Sequence, residues 1–260
     1  MFPPEIFTEI FNFLISEARV LVACSQAHPV FAQLIEPTLY AHVVVVHDDD
    51  ADDEDHDHLR FKPHQLTALL ADNPRILNYL RSLCVELPKV YSDGFMEDII
   101  AIFGRLKLER IRLTHDVKYW HWLPIAFRTA FVACISTPFM KEISIDGISD
   151  ISLSSFADCP GLRQLSLWYD AIPPSNQNSQ CNFPHLEVLE LSSWAMDGRS
   201  YDILSWLRTQ ACGLRSLTFT TFQKSVLRTF LPRVLGICST SLVNLNIYYN
   251  TRKQHTQSLE

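Results

Sequence analysis

Three apolar side chains spaced as LxxLxL recur along the chain: LRSLCV from Leu80, LERIRL from Leu108, MKEISI from Met140, LRQLSL from Leu162, LEVLEL from Leu186, LRSLTF from Leu214 and LVNLNI from Leu242. Within each unit the later apolar residues alternate with polar ones, the period of a strand that buries one face. Successive units start 28, 32, 22, 24, 28 and 28 residues apart, a spacing that accommodates one strand and one returning helix. Helix-like runs fill several gaps, among them FMEDIIAIFGRL, SYDILSWLRTQ and KSVLRTFLPRVLGIC. Isolated triplets arise by chance in so apolar a chain; their even punctuation does not.

The pattern predicts an α/β protein whose parallel strands line a concave face and whose helices cover the convex one. Leucine-type positions then point into the core, and the residues between them reach the open surface. On that surface fall Arg110 and Arg112, Glu142 and Asp146, Gln164 and Trp168, Glu190, Thr218, and Asn246 and Tyr248. Trp168 and Tyr248 are candidate anchors for a bound protein, because large amphipathic rings contribute most where they become desolvated. The competing reading is a solvated sheet face, with Trp168 partly packed on Trp194 or Trp206.

A different pattern opens the chain. In PPEIFTEIFNFL, Ile6, Ile10 and Leu14 recur at helical spacing, Phe7, Phe11 and Phe13 widen the stripe, and Glu5, Thr8, Glu9 and Asn12 stay outside it. Pro3 and Pro4 suit the first turn of such a helix. Two further helices are expected, from about Arg19 to Gln26 and from Phe31 to about Leu39. One short helix cannot hide so broad an apolar face. Covering four of these side chains stabilises by about 6–12 kcal/mol gross, so either a partner protein supplies the missing surface or the helices form a self-contained cap on the first repeat.

Composition narrows the picture. The 260 residues are 47% hydrophobic and 20% charged, with a net charge of −7, and no apolar stretch is long enough to span a bilayer. No Lys or Arg precedes Arg19, so a secretory signal is not expected, and the protein is expected inside the cell, in cytoplasm or nucleus. HDDDADDEDHDH at 47–58 carries seven Asp and one Glu. The remainder therefore holds about one positive charge net, too little for nucleic-acid binding. The acidic run lacks the glycine and final glutamate of a calcium loop and reads as a solvated linker. Domain boundaries follow: a helical module over 1–46, the linker over 47–60, the repeats over 61–250 and a polar tail over 251–260.

Seven cysteines without a CxxC pair fit neither zinc nor a disulfide framework. Cys134, Cys159, Cys212 and Cys238 each fall where a helix ends before the next strand. No metal, cofactor or catalytic residue is expected, since GxSxG, HExxH, GxxxxGK and GxGxxG are all missing. His115 and His121 in HDVKYWHW lie six positions apart and do not share a helix face.

Two resemblances tie these segments together. Residues 159–167, CPGLRQLSL, resemble the cysteine-containing leucine-rich repeats, although the repeat asparagine survives only as Asn250 in LVNLNIYYN. FPPEIFTEIFNFL followed by RVLVACSQAHPVF resembles an F-box, with Pro3, Pro4, Ile6, Ile10 and Leu14 in its first half, Cys24 in its second and Phe31 at its tryptophan position. The order of F-box then degenerate repeats is similar to that of the large fungal F-box-like families. The resemblance implies a Skp-family adaptor bound through Pro3, Pro4, Ile6, Ile10, Leu14, Leu21, Cys24 and Phe31. Through that adaptor it implies a cullin scaffold and a ubiquitin ligase of SCF type, with a protein target held by the repeat solenoid. The alternatives are a leucine-rich repeat scaffold whose F-box remnant does not dock and, from a different class, a hydrolase with an unrecognised site.

Overall fold

A computed structural model describes residues 4–14, 17–47, 58–90, 92–156, 158–168, 171–172, 183–193, 213–221, 224–238 and 240–249. Most of the acidic run, the helix expected in SYDILSWLRTQ and the polar tail lie outside the described residues.

Three short helices come first: α1 (Pro4–Phe13), α2 (Ala18–Ala27) and α3 (Pro29–Leu39). Their bounds lie within a few residues of those the sequence suggests. Pro29 occupies the first turn of α3, and the Nδ1 of His28 accepts the Val30 N–H at 3.2 Å, covering one of the donors a helix start leaves unpaired. Phe11, Leu21, Ile35 and Leu39 form the buried centre of the three-helix unit, with Phe7, Leu14 and Phe31 packed around it.

Strands and helices then alternate: β1 (His42–Val45), β2 (Leu59–Phe61), α4 (Pro63–Asp72), β3 (Ser82–Glu86), α5 (Asp93–Phe103), β4 (Arg110–Tyr119), α6 (Ile125–Ile135) and β5 (Glu142–Ser149). The chain continues through β6 (Ile151–Ser152), β7 (Gln164–Trp168), β8 (Ala171–Ile172), β9 (Val188–Ser193), β10 (Ser216–Thr221), α7 (Lys224–Cys238) and β11 (Asn244–Tyr249). Nine of the strands form one parallel sheet in the order β11-β10-β9-β7-β5-β4-β3-β1-β2, while β6 and β8 pair separately. The architecture is mixed α/β, and a strand lies on each of the seven LxxLxL units.

Register is held by a repeated backbone device. The carbonyl of Arg81 accepts the N–H groups of both Glu109 and Arg110, that of Glu109 those of Lys141 and Glu142, and that of Lys141 those of Arg163 and Gln164. The same fork continues from Arg163, Glu187 and Arg215. Each strand is thereby fixed at its start, and corresponding residues line up in rows: Leu83, Ile111, Ile143, Leu165, Leu189, Leu217 and Leu245 form one of them. The strands alternate buried and part-buried side chains, as in β3 and through most of β5. The buried leucine-type residues of the strands merge into one core with the inner faces of α4, α5, α6 and α7.

One irregularity interrupts the ladder. Between Thr114–Asp146 and Lys118–Ile148, β4 contains three residues against the single Gly147 of β5. Gly147 has φ +75°, a conformation that side chains with a Cβ rarely adopt, and the His115 carbonyl approaches it closely. This lengthens β4 beyond its LxxLxL unit. His115 is therefore in a strand, where its Nε2 lies 2.9 Å from the Pro88 carbonyl oxygen.

The expected module boundary at 46/47 falls inside the sheet. β1 pairs with β3 in parallel through His42–Ser82 to Val45–Val85, and β2, which begins in the expected linker, pairs with β1. The cause is the run HVVVV: Val43 and Val45 are buried, and a β-branched strand end of this kind is stabilised by joining the edge of the main core. Among the described residues, no helix is long and apolar enough to cross a membrane.

Candidate functional site

Two surfaces stand apart from the core. The first is the outer side of the three-helix unit. Ile6 is 44% exposed, Ile10 47% and Phe13 86%, with Val20 and Val30 also exposed. These residues are open because the inner side of α1 is already filled by Phe7 and Phe11, whose rings lie 5.0 and 5.8 Å from that of Phe31. Pro4 begins α1, and Pro3 lies outside the described residues. Leu14 and Cys24 are half-buried against the unit's core. Leu21 is only 1% exposed and belongs to that core, so it holds the helices together and offers nothing to a partner. Phe31 likewise spends most of its ring on Phe7 and Phe11.

The second surface is the polar face of the sheet. Parallel sheets commonly have both faces covered, but here the alternation puts a polar side chain at nearly every second position. Those positions frame a groove of about 700 Å³ that crosses from β2 to β9. The structure brings Arg110, Arg112, Glu142, Gln164, Trp168 and Glu190 together along it, and Asp146 joins through its pairing with Arg112. Thr218 is buried between Glu190 and Asn246 in its row. Asn246 and Tyr248 are exposed on β11, beyond the groove's lining.

Charge on this face is ordered. Arg60 meets Glu86 at 2.9 Å, Arg110 meets Glu142 at 3.3 Å and Arg112 meets Asp146 at 3.8 Å. Exposed pairs of this kind contribute about 0–1 kcal/mol each to stability, so their arrangement says more about what the face can receive than about what holds it together. Burial pushes the Asp146 carboxyl upward more than Arg112 pulls it down, as expected of a long contact. Ser166 donates to Glu190 Oε2 at 2.7 Å, and among the described residues no cation pairs with Glu190.

Among the groove residues that sequence reasoning missed are His42, His58 and Arg60. The rings of His42 and His58 are 5.8 Å apart, and burial, then His58, then Arg110 hold His42 below the ordinary histidine range. Burial alternates along β1, which turns His42 away from the buried Val43 and Val45, whereas β2 is part-buried throughout.

Three of the described thiols are poor candidates for nucleophilic chemistry. Burial raises Cys84, which lies in the groove, to about 11, and Cys134 and Cys159 to about 12. They are protonated at neutral pH, which makes them poor nucleophiles. Among the described residues no cluster of three or more His, Cys, Asp or Glu side chains is placed to hold a metal ion. Comparison of the chain with protein-family models, with curated proteins and with solved structures returned no match.

Proposed function

We propose that this chain is the target-recognition subunit of an SCF-type ubiquitin ligase. Its N-terminal helices form an F-box that docks a Skp-family adaptor, and its repeats form a leucine-rich solenoid whose polar strand face binds the protein to be modified. One observation carries the reading: Ile6, Ile10 and Phe13 remain substantially exposed on a helical unit whose centre is already closed by Phe11, Leu21, Ile35 and Leu39. A self-contained cap would turn those side chains inward. Left outside, they provide the spaced apolar anchors that a helical partner surface recognises. The alternation of the parallel strands supports the second half, since among the described residues it leaves one sheet face polar, grooved and uncovered.

A non-docking scaffold is favoured by a different observation. Leu21 and Phe31, which the F-box resemblance assigns to the adaptor, are turned largely toward this chain's own core. The two readings separate on co-elution of the purified full chain with a purified Skp-family adaptor in size-exclusion chromatography. A stoichiometric complex that is lost in Ile10→Asp and Leu14→Asp supports docking. Two separate peaks for the wild-type chain support the scaffold.

A further inference from the structure

We propose that the groove receives an extended segment of another protein in which a lysine or arginine rests against Glu190 and Trp168 and an acidic residue about four positions away faces Arg110 and Arg112. This rests on the reading of the groove as the target-binding face and specifies the chemistry of what enters it.

Charge is unevenly distributed across the groove. Among the described residues, the β2-to-β4 half of the groove carries Arg60, Arg110 and Arg112 with the acid Glu86, whereas the β5-to-β9 half carries Glu142, Asp146 and Glu190 and no cation. Pairing across the middle ties up Glu142 and Asp146. Among the described residues, Glu190 is left with the Ser166 hydroxyl, a neutral donor that does not cancel its charge. β9 lies three strands from β4, which at about 4.8 Å per strand puts Arg112 about 14 Å away. That exceeds the screening length of about 8 Å at physiological salt.

The neighbourhood of Glu190 suits a cationic side chain more than a free ion. Trp168 is 38% exposed one register step along the adjacent strand, so its ring is available to cover the methylene stem or to face the charge. Gln164, on the other side of Ser166 in the same strand, offers a polar amide within the groove. At the far end, Arg110 and Arg112 are both more than half exposed. A guanidinium has five donors, and the 3.8 Å contact to Asp146 leaves those of Arg112 largely unspent. An extended peptide rises about 3.3 Å per residue, so four residues bridge the distance of about 14 Å between the two seats. The charge order therefore sets the composition of the bound segment and which of its charged residues faces each half of the groove.

The test is to pan a random twelve-residue peptide library against the immobilised full chain and against its Glu190→Lys variant, and to measure the affinity of the enriched peptides by fluorescence anisotropy. For wild type, the expected enrichment is a Lys or Arg with an Asp or Glu four positions away. Binding should weaken at least ten-fold in Glu190→Lys and in Arg112→Glu, and the loss should shrink as salt rises. Enriched peptides without a basic residue, or with affinity for Glu190→Lys within two-fold of wild type, would overturn the inference while leaving the groove as a binding face. Spermine displacing the peptide at equal concentration would overturn it in favour of a small polyamine ligand. No enrichment, or enrichment insensitive to Trp168→Ala, Glu190→Lys and Arg112→Glu alike, would sink the groove reading itself. Matching thermal melts of the variants establish that they fold.

Discussion

At the scale of single residues, the backbone fixes what can be changed. A Cβ on Gly147 would lie 1.5 Å from the His115 carbonyl oxygen, at a φ of +75°. Neither strand can yield without breaking the ladder between β4 and β5. Gly147→Ala is therefore expected to cost at least about 2 kcal/mol in urea unfolding, while Gly94→Ala, with open space around its Cβ, should be neutral or stabilising by up to about 1 kcal/mol. The buried thiols set a pH limit. An unfolded thiol ionises near 9, whereas folded Cys134 and Cys159 keep their protons to about 12. Their contribution is intact below pH 9 and is lost as the pH rises toward 12. Unfolding free energies measured at pH 7, 9 and 10.5 should fall across the last two values, and Cys134→Ala should flatten that fall.

At the scale of elements, rows across the sheet decide which substitutions matter. Leu165 belongs to the buried row and Gln164 to the groove row of the same strand, β7. Leu165→Ala should cost about 2–5 kcal/mol, and Gln164→Ala should stay within about 0.5 kcal/mol; chemical denaturation distinguishes them. The seven strands on LxxLxL units were legible because each alternates over a row of leucine-type residues. The three N-terminal helices were legible from their stripes and prolines. β1 and β2 were not, because the pairing of HVVV with Ser82–Val85 joins segments about 40 residues apart, and LRF is too short to register as a strand. Nor could periodicity reveal the excursion of β4 opposite Gly147, which depends on one backbone conformation. On the candidate site, sequence placed Arg110, Arg112, Glu142, Asp146 and Glu190 on one face. It did not show that Thr218 is buried within its row or that Leu21 turns inward, since both depend on the height and packing of neighbouring side chains.

At the scale of the whole molecule, the two proposed jobs fall on two separate surfaces: an apolar helical face at the N-terminus and a polar groove across the sheet. They have different chemistry and share no residue, so damage to one should leave the other intact. The direct measurement is an affinity pull-down of the tagged full chain from cells, read by quantitative mass spectrometry for wild type, Ile10→Asp and Glu190→Lys in parallel. The account predicts that Ile10→Asp loses the Skp-family adaptor and its cullin while keeping a set of target proteins, and that Glu190→Lys loses those targets while keeping the adaptor. It is contradicted if wild type captures no adaptor, or if either substitution removes both classes of partner in a chain that still melts like wild type.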